Sequence, residues 1–533
     1  MAGNMHCLAT NLFGWPDWLV MAGYFLLLLL SGIWFSRRAQ SGPDDFFLAS
    51  RRMPVWAVSF SVIATSLSAA TFIGGPQQAY GGDLTYLSAN LGGILAALVV
   101  AVVFIPAFYR RRVSTVYQLL DHRFGRATRI AASGLFMGGR VLASGARLYI
   151  AALAASLILF RDILPWQVST AIGLIVVAGV LYTLVGGIAS VIWTDVIQTL
   201  IFIGAACAAM AVLLARIPIG IDEIAAALQT PTQGTSKLKI FELGLEPGKP
   251  YLGFDPGAPF TLLTAVFGFT LFNLAAYGTD QDLTQRMLTC RSAARGSWSM
   301  ICAIIGGIPI TAMFMLVGLL LYIFYARPDI MGEAGVDYPI DDSRKVFLTF
   351  IINEMPTGMS GLMMAGLFAS ALSSLNSALN AMAATFVSDF YRELRPDRSD
   401  RHYLGAGRIA VVVWGVVLGL FAIVCMFWHQ HSGDTLINFS LSVMIFAYSG
   451  LLAVFLTSLF TNRGTPTSAI AAMIAGATVT LLLQPNLWAH WFDDSHTWLL
   501  ANQRIAFPWR MGIATSVAFG VCCLGARPFV KRL

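Results

Sequence analysis

Apolar residues along this chain fall in long stretches separated by short polar ones, and the stretches are of membrane-crossing length. A helix needs about 20 apolar residues to cross the hydrocarbon, and it must satisfy its own backbone hydrogen bonds because lipid offers none. Read with that length, the pattern predicts about thirteen spans, at 17–36, 54–78, 84–108, 130–159, 165–185, 188–216, 258–279, 297–324, 357–389, 404–428, 434–461, 466–484 and 508–525. The first, from Trp18 to Phe35, is too long for the core of a cleaved signal and is followed by arginines, so it reads as a permanent helix.

Lysine and arginine in short loops mark the cytoplasmic side. Arg37, Arg38, Arg51 and Arg52 follow the first span, and Arg110, Arg111, Arg112, Arg123 and Arg126 follow the third. Arg286, Arg291 and Arg295 follow the seventh, and Arg392, Arg395, Arg398 and Arg401 follow the ninth. All are odd-numbered loops and share a side, while even-numbered loops hold acids such as Asp341, Asp342, Asp493 and Asp494. This places the N-terminus outside and Arg527, Lys531 and Arg532 inside. The long polar connection over 217–257 falls outside and is read as surface without a role.

Composition narrows the class. With 57% hydrophobic residues and 11% charged among 533, against roughly 25% charged in soluble domains, the chain is a polytopic all-α membrane protein. Its net charge of +7 then reports loop arginines rather than a nucleic-acid surface. The seven cysteines are scattered, with no CxxC pair, and read as small core residues; no HExxH or GxSxG motif suggests a hydrolase.

Polar residues inside a span are costly unless paired or facing water, so they are pointers to function. In the second span Thr65, Ser66, Ser68 and Thr71 precede Gly74, Gly75 and Pro76, which predicts a discontinuous helix whose freed carbonyls can hold a cation. The alternative is hydroxyls bonding back to their own helix. In the ninth span Ser370, Ser373, Ser374 and Ser377 stand at i, i+3, i+4 and i+7, four hydroxyls on one face. They serve either close helix packing or a hard monovalent cation such as Na⁺, shared with the broken helix. Arg147 in the fourth span and Asp195 in the sixth are expected to pair. The open roles for that pair are a structural bridge, a second Na⁺ site at Asp195, or a substrate carboxylate at Arg147.

These residues sit in longer segments: DDFFLASRRMPVWAVSFSVIATSLSAATFIG from Asp44, STVYQLLDHRFG from Ser114, RLYIAALA from Arg147, GGIASVIWTDVIQ from Gly186, TDQDLTQR from Thr279 and AGLFASALSSLNSALN from Ala365. In that order the segments resemble the sodium:solute symporters, which include sodium/glucose, sodium/proline, sialic acid and sodium/monocarboxylate transporters. The resemblance implies an inverted-repeat fold of five plus five helices, here 54–216 and 258–461, with an extra N-terminal helix and loop (1–53), the external loop 217–257 and two extra C-terminal helices (462–533). It implies a Na⁺ site of carbonyls at Ala64, Leu67 and Ser370 with hydroxyls at Ser373 and Ser374. Members with a second Na⁺ place its ligands at positions corresponding to Asp195, Asn376 and Ser377. Substrate contacts carry over to Ser66, Ser68, Thr71, Asn90, Arg147 and Asn273, the arginine holding a carboxylate.

The expected function is Na⁺-coupled import of a sugar or sugar acid such as sialic acid by alternating access in a bacterial-type plasma membrane, with a small monocarboxylate as the alternative. Tyr86, Phe272 and Tyr277 are candidate gates or stacking surfaces. A channel is disfavoured because no filter-like segment or charged ring is visible. A solute sensor on the same scaffold is the other rival, an enzyme is not expected, and oligomeric state is not readable.

Overall fold

A computed structural model describes residues 14–36, 47–160, 162–185, 187–232, 235–245, 255–332, 342–430, 435–484 and 505–525. Arg37, Arg38, Asp341, Asp493, Asp494, Arg527, Lys531, Arg532 and Cys7 lie outside the described residues. The fold is helical, and among the described residues the one strand-like pairing is an isolated bridge between Met53 and Cys290.

Every predicted stretch carries a helix. They are α1 (Trp15–Ser36), α2a (Val55–Ser66), α2b (Ala69–Gly81), α3 (Thr85–Arg110), α4 (Arg126–Phe160), α5 (Pro165–Val185) and α6 (Ile188–Arg216). There follow α7a (Thr264–Gly278), α7b (Gln281–Leu288), α8 (Ala293–Ala326), α9 (Met359–Leu394), α10 (Asp400–Gln430), α11 (Leu436–Phe460), α12 (Pro466–Leu482) and α13 (Phe507–Leu524). Ten are long and apolar enough to cross a membrane alone, α2a with α2b makes a bent pair, and α7a and α12 are shorter apolar helices.

The second span is discontinuous, as expected, and Gly74, Gly75 and Pro76 all lie within the continuous helix α2b. It breaks at Leu67 and Ser68, both in extended conformation, and the halves meet at 61°. Gly74 is there for contact, since a Cβ on it would stand 2.8 Å from Ile437. The seventh span is broken too. After Thr279 and Asp280 it resumes as α7b, all eight residues of which are buried. Arg286, counted above as a loop charge, is therefore inside the protein, and the seventh loop keeps only Arg291 and Arg295 as orienting charges.

The helix contacts repeat under exchange of the two halves. α2 packs on α8, and its counterpart α7a packs on α3; α6 packs on α9, and α11 on α4; α4 meets α5 as α9 meets α10. Glycines permit both closest approaches: a Cβ at Gly92 of α3 would lie 2.3 Å from the Ala265 carbonyl oxygen, and one at Gly318 of α8 equally close to that of Pro76. Exchanged helices are five elements apart and so run oppositely, as an inverted repeat requires. The hydroxyl-bearing α9 is central, 89% of its most apolar window buried, whereas α1 is peripheral at 28%. Of the described cysteines, Cys290, Cys425 and Cys522 are buried, but Cys207 and Cys302 are exposed on helix surfaces rather than in the core.

Candidate functional site

The α2 break does two things at once. Leu67 is the last residue to donate up the first half-helix, to Ile63, and the next amides turn to Ser68: its carbonyl accepts from Thr71 and Phe72, and its hydroxyl from Ala70. The Ala64 and Leu67 carbonyls are thereby left out of the ladder. Both residues border a cavity of about 10 Å³ with Ser370 and Ser373 of α9 and with Gln198, Thr199 and Phe202 of α6, its accessible wall apolar in this conformation. That is space for one water-sized particle. Asp195 prepares the ligands: the Ser373 hydroxyl donates to Asp195 Oδ1 at 2.6 Å, so its lone pairs remain for a cation. Ser374 is buried, and its hydroxyl has no hydrogen-bond partner among the described residues. Neutral oxygens from a broken helix and a serine pair are the donor set that Na⁺ prefers.

The expected Arg147–Asp195 pair does not form. The partner of Asp195 is Arg286 on α7b, with Nη2 3.4 Å from Asp195 Oδ2, and Ser61 donates to the same oxygen at 2.5 Å. Arg286 is saturated: Nε donates to Ser61 Oγ at 2.8 Å, Nη1 to the Asp282 carbonyl at 2.6 Å and to its carboxylate at 3.0 Å, and Nη2 to Ser377 Oγ. Asp282 is shared with Arg140 of α4 at 3.0 Å, which also pairs with Asp280, and Tyr448 of α11 donates to Asp280 at 2.7 Å. Asp280, Asp282 and the buried role of Arg286 escaped the sequence reading because α7b is too polar to register as membrane-embedded, and Arg140 and Tyr448, although inside predicted spans, were missed with them because their partners are on α7b. The available signal was Asp280 as an N-cap followed by the i, i+4 pair Asp282 and Arg286.

Of the three residues expected around a second Na⁺, the structure joins Asp195 and Ser377 through Arg286. Asn376 is turned away, its Oδ1 accepting from Thr183 of α5 at 3.2 Å.

A second cavity, of about 150 Å³, lies on the other side of the break. Ser66, Asn90, Arg147 and Asn273 line it, as do the three aromatics Tyr86, Phe272 and Tyr277. Ser68 and Thr71 do not; Ser68 is spent capping α2b. Arg147 Nη1 donates to the Thr65 carbonyl at 3.2 Å and Nη2 approaches Met444 Sδ at 3.5 Å, while Nε has no partner and no carboxylate lies in ion-pair reach among the described residues. The amide nitrogens of Asn90 and Asn273 are used on the carbonyls of Leu87 and Phe269, at 3.0 and 2.8 Å. Their amide oxygens are left to face a ligand. Tyr277 and Ser66 oxygens are 3.3 Å apart, and Phe272 packs edge-on against Tyr448.

An ion-sized space and a solute-sized space on two sides of one broken helix, inside an inverted repeat, define a cation-coupled secondary transporter. The comparisons make this specific. The family model for the sodium:solute symporter family matches residues 46–476, and the chain belongs to that family. It is a multi-pass Na⁺-coupled symporter of small solutes, not an enzyme, and Na⁺ is the co-transported ion. It is similar to the sodium/sialic acid symporter of Proteus mirabilis, 29% identical over 476 residues that cover 88% of this chain and 89% of that one. Similarity to the human sodium/iodide cotransporter is 27%, covering 86% of this chain and 68% of the relative. A solved structure of a Na⁺-coupled sialic acid symporter, substrate-bound and outward-open, superimposes with a TM-score of 0.76 at 26% identity, covering 96% of this chain and 97% of that one.

Proposed function

We propose that this symporter imports a sugar acid of the sialic acid kind, with Na⁺ held by the carbonyls of Ala64, Leu67 and Ser370 and the hydroxyls of Ser373 and Ser374. The observation that carries the substrate class is Arg147, a cation facing the larger cavity without an acidic partner. A guanidinium binds a carboxylate in bidentate fashion. The amide oxygens of Asn90 and Asn273 accept from hydroxyls, so the cavity offers one anion receptor and several hydroxyl acceptors. A small monocarboxylate would use the first and leave the second idle, which is why it stands as the alternative.

Coupling follows from the shared break. Arg147 touches the Thr65 carbonyl, one residue from Ala64, so a carboxylate drawing on Arg147 acts on the backbone that ligates the ion. Each ligand then raises the other's affinity by the same factor. Inward Na⁺ movement supplies about 2.3 kcal/mol per charge for each 100 mV. This reading includes thirteen crossings of a plasma membrane, an outside N-terminus, a cytoplasmic C-terminus, and the two repeats 54–216 and 258–461.

Thermal unfolding of the purified protein in Na⁺ or choline, with N-acetylneuraminate, galactose or lactate, tests the solute class. N-acetylneuraminate is expected to raise the midpoint in Na⁺ and far less in choline, with galactose inert. Equal stabilisation by lactate favours the monocarboxylate, and stabilisation by galactose alone contradicts the role of Arg147.

A further inference from the structure

We propose that the hollow between α9 and α10 holds an acyl chain of an anionic phospholipid whose phosphate is bound by arginines of the α9–α10 connection. The inference rests on these two helices lying in the bilayer, not on which solute is carried. A cavity of about 300 Å³ is lined by Phe386, Tyr391, Ala406, Ala410, Val413 and Trp414. Its walls are apolar apart from the rings of Tyr391 and Trp414, and the Tyr391 hydroxyl lies 2.9 Å from His402 Nε2. Val413 is 53% exposed, and Ile409 on the same rim is 68% exposed, so the mouth faces lipid.

The hollow has a local cause. The last turns of α9, Phe386–Tyr391, are wound as a π-helix, while α10 places the small residues Ala406 and Ala410, one turn apart, between its larger lining residues Ile409, Val413 and Trp414. A widened turn opposite two small residues leaves a slot rather than a packed seam. From Ala406 to Trp414 the slot runs about 12 Å along α10, from the helix end into the hydrocarbon. Water gains no hydrogen bonds on such walls, and the neighbouring hydrocarbon is a lipid chain.

The head group follows from charge. The connection and the start of α10 carry Arg392, Arg395, Arg398, Arg401 and Arg408 against Glu393, Asp397 and Asp400. Glu393 is already taken by Arg126 and Arg129, and none of the five arginines has a carboxylate in ion-pair reach among the described residues. Arg392 directly follows the lining residue Tyr391, its guanidinium 4.9 Å from the Tyr403 ring centroid, and Arg408 directly precedes Ile409, so two cations each stand one residue from the slot's lining. Exposed guanidinium forks at the end of an apolar slot match a phosphate on an acyl chain.

Native mass spectrometry of the full chain, incubated with phosphatidylglycerol, phosphatidylcholine or soluble glycerol phosphate, tests this. Phosphatidylglycerol is expected to be retained at least about five-fold over phosphatidylcholine, with glycerol phosphate alone not retained. Ala410→Trp, which fills the slot, is expected to reduce phosphatidylglycerol retention to the phosphatidylcholine level. Arg392→Gln with Arg408→Gln leaves the slot intact and is expected to weaken retention by about five-fold for each charge removed. Stabilisation by Na⁺ serves as the control for folding in every variant. Its loss in the unaltered chain contradicts the symport reading without touching this one. Equal retention of the two lipids, retention of glycerol phosphate matching that of the lipid, or undiminished lipid on Ala410→Trp overturns the proposal. A dimer that Ala410→Trp splits with lipid unchanged also overturns it, making the face a contact between copies.

Discussion

Of the arginines inside the helix bundle of this transporter, Arg286 and Arg147 have surroundings that differ in kind. Arg286 on α7b bonds to Asp195, Asp282, Ser61 and Ser377, and its guanidinium is the centre of a network tying α2a, α6, α7b and α9. Arg147 on α4 touches one carbonyl and one thioether and faces a cavity, with Nε unpartnered. Desolvating a charge costs several kcal/mol, and only partners recover it. A buried cation whose partners are all present is architecture; one without an acidic partner among the described residues is, under the proposed function, a site for an anion.

The contrast yields an order of effects. Arg286→Leu is expected to be the most damaging, because it strands the carboxylate of Asp195 and leaves Asp282 with Arg140 alone. A loss of about 3–5 kcal/mol in thermal or denaturant unfolding, with or without substrate, is the expected outcome. Retained stability would remove Arg286 from the structural side of the comparison.

Arg147→Gln should do the reverse. Unfolding without solute is expected to be unchanged or slightly improved, whereas KM for N-acetylneuraminate rises about 30-fold, as for loss of a charged hydrogen bond of about 2 kcal/mol. Destabilisation comparable to that of Arg286→Leu would collapse the distinction.

Ser374→Ala comes next. Its hydroxyl has no protein partner to lose, so folding is expected to be intact while the Na⁺ concentration for half-maximal uptake rises about ten-fold, the worth of one ligand hydrogen bond. Normal Na⁺ activation would exclude Ser374 from the site.

The smallest effect is expected at Lys237, a fully paired cation outside the membrane. Its ammonium donates to the carbonyls of Tyr80 and Gly82 at 2.9 and 2.8 Å and lies 4.2 Å from the Tyr322 ring centroid, strapping the 217–257 connection onto the end of α2b. Burial pushes its pKa below the usual lysine value. Lys237→Met should cost about 1 kcal/mol of stability and leave the Na⁺ dependence unaltered.

What could be read from the residues alone follows the same division. The thirteen apolar stretches, the discontinuity of the second span and the serine face of α9 were legible because each is local: length, hydroxyl density and helical spacing within a single segment. The pattern alone named no break point in the second span, because Gly74, Gly75 and Pro76 look like helix breakers yet lie inside α2b; the family resemblance, with carbonyls at Ala64 and Leu67, pointed to it. The helix α7b was invisible because its low hydrophobicity reads as loop; it is buried only by virtue of the charges it meets from α4 and α6. Pairing Arg147 with Asp195 was a reasonable economy with two intramembrane charges in view, and it failed because Arg286 had been assigned to solvent. Which of several buried charges pair is decided largely by contacts between distant segments, 91 residues apart for Arg286 and Asp195 and 140 for Arg140 and Asp280.

The measurement that bears most directly on the account is uptake of labelled N-acetylneuraminate into proteoliposomes under an inward Na⁺ gradient or an equal K⁺ gradient, for the unaltered chain and for Ser374→Ala. The account predicts accumulation with Na⁺ only, and in Ser374→Ala accumulation that returns when Na⁺ is raised about ten-fold. Accumulation driven equally by K⁺, or a Na⁺ dependence indifferent to Ser374, would contradict it.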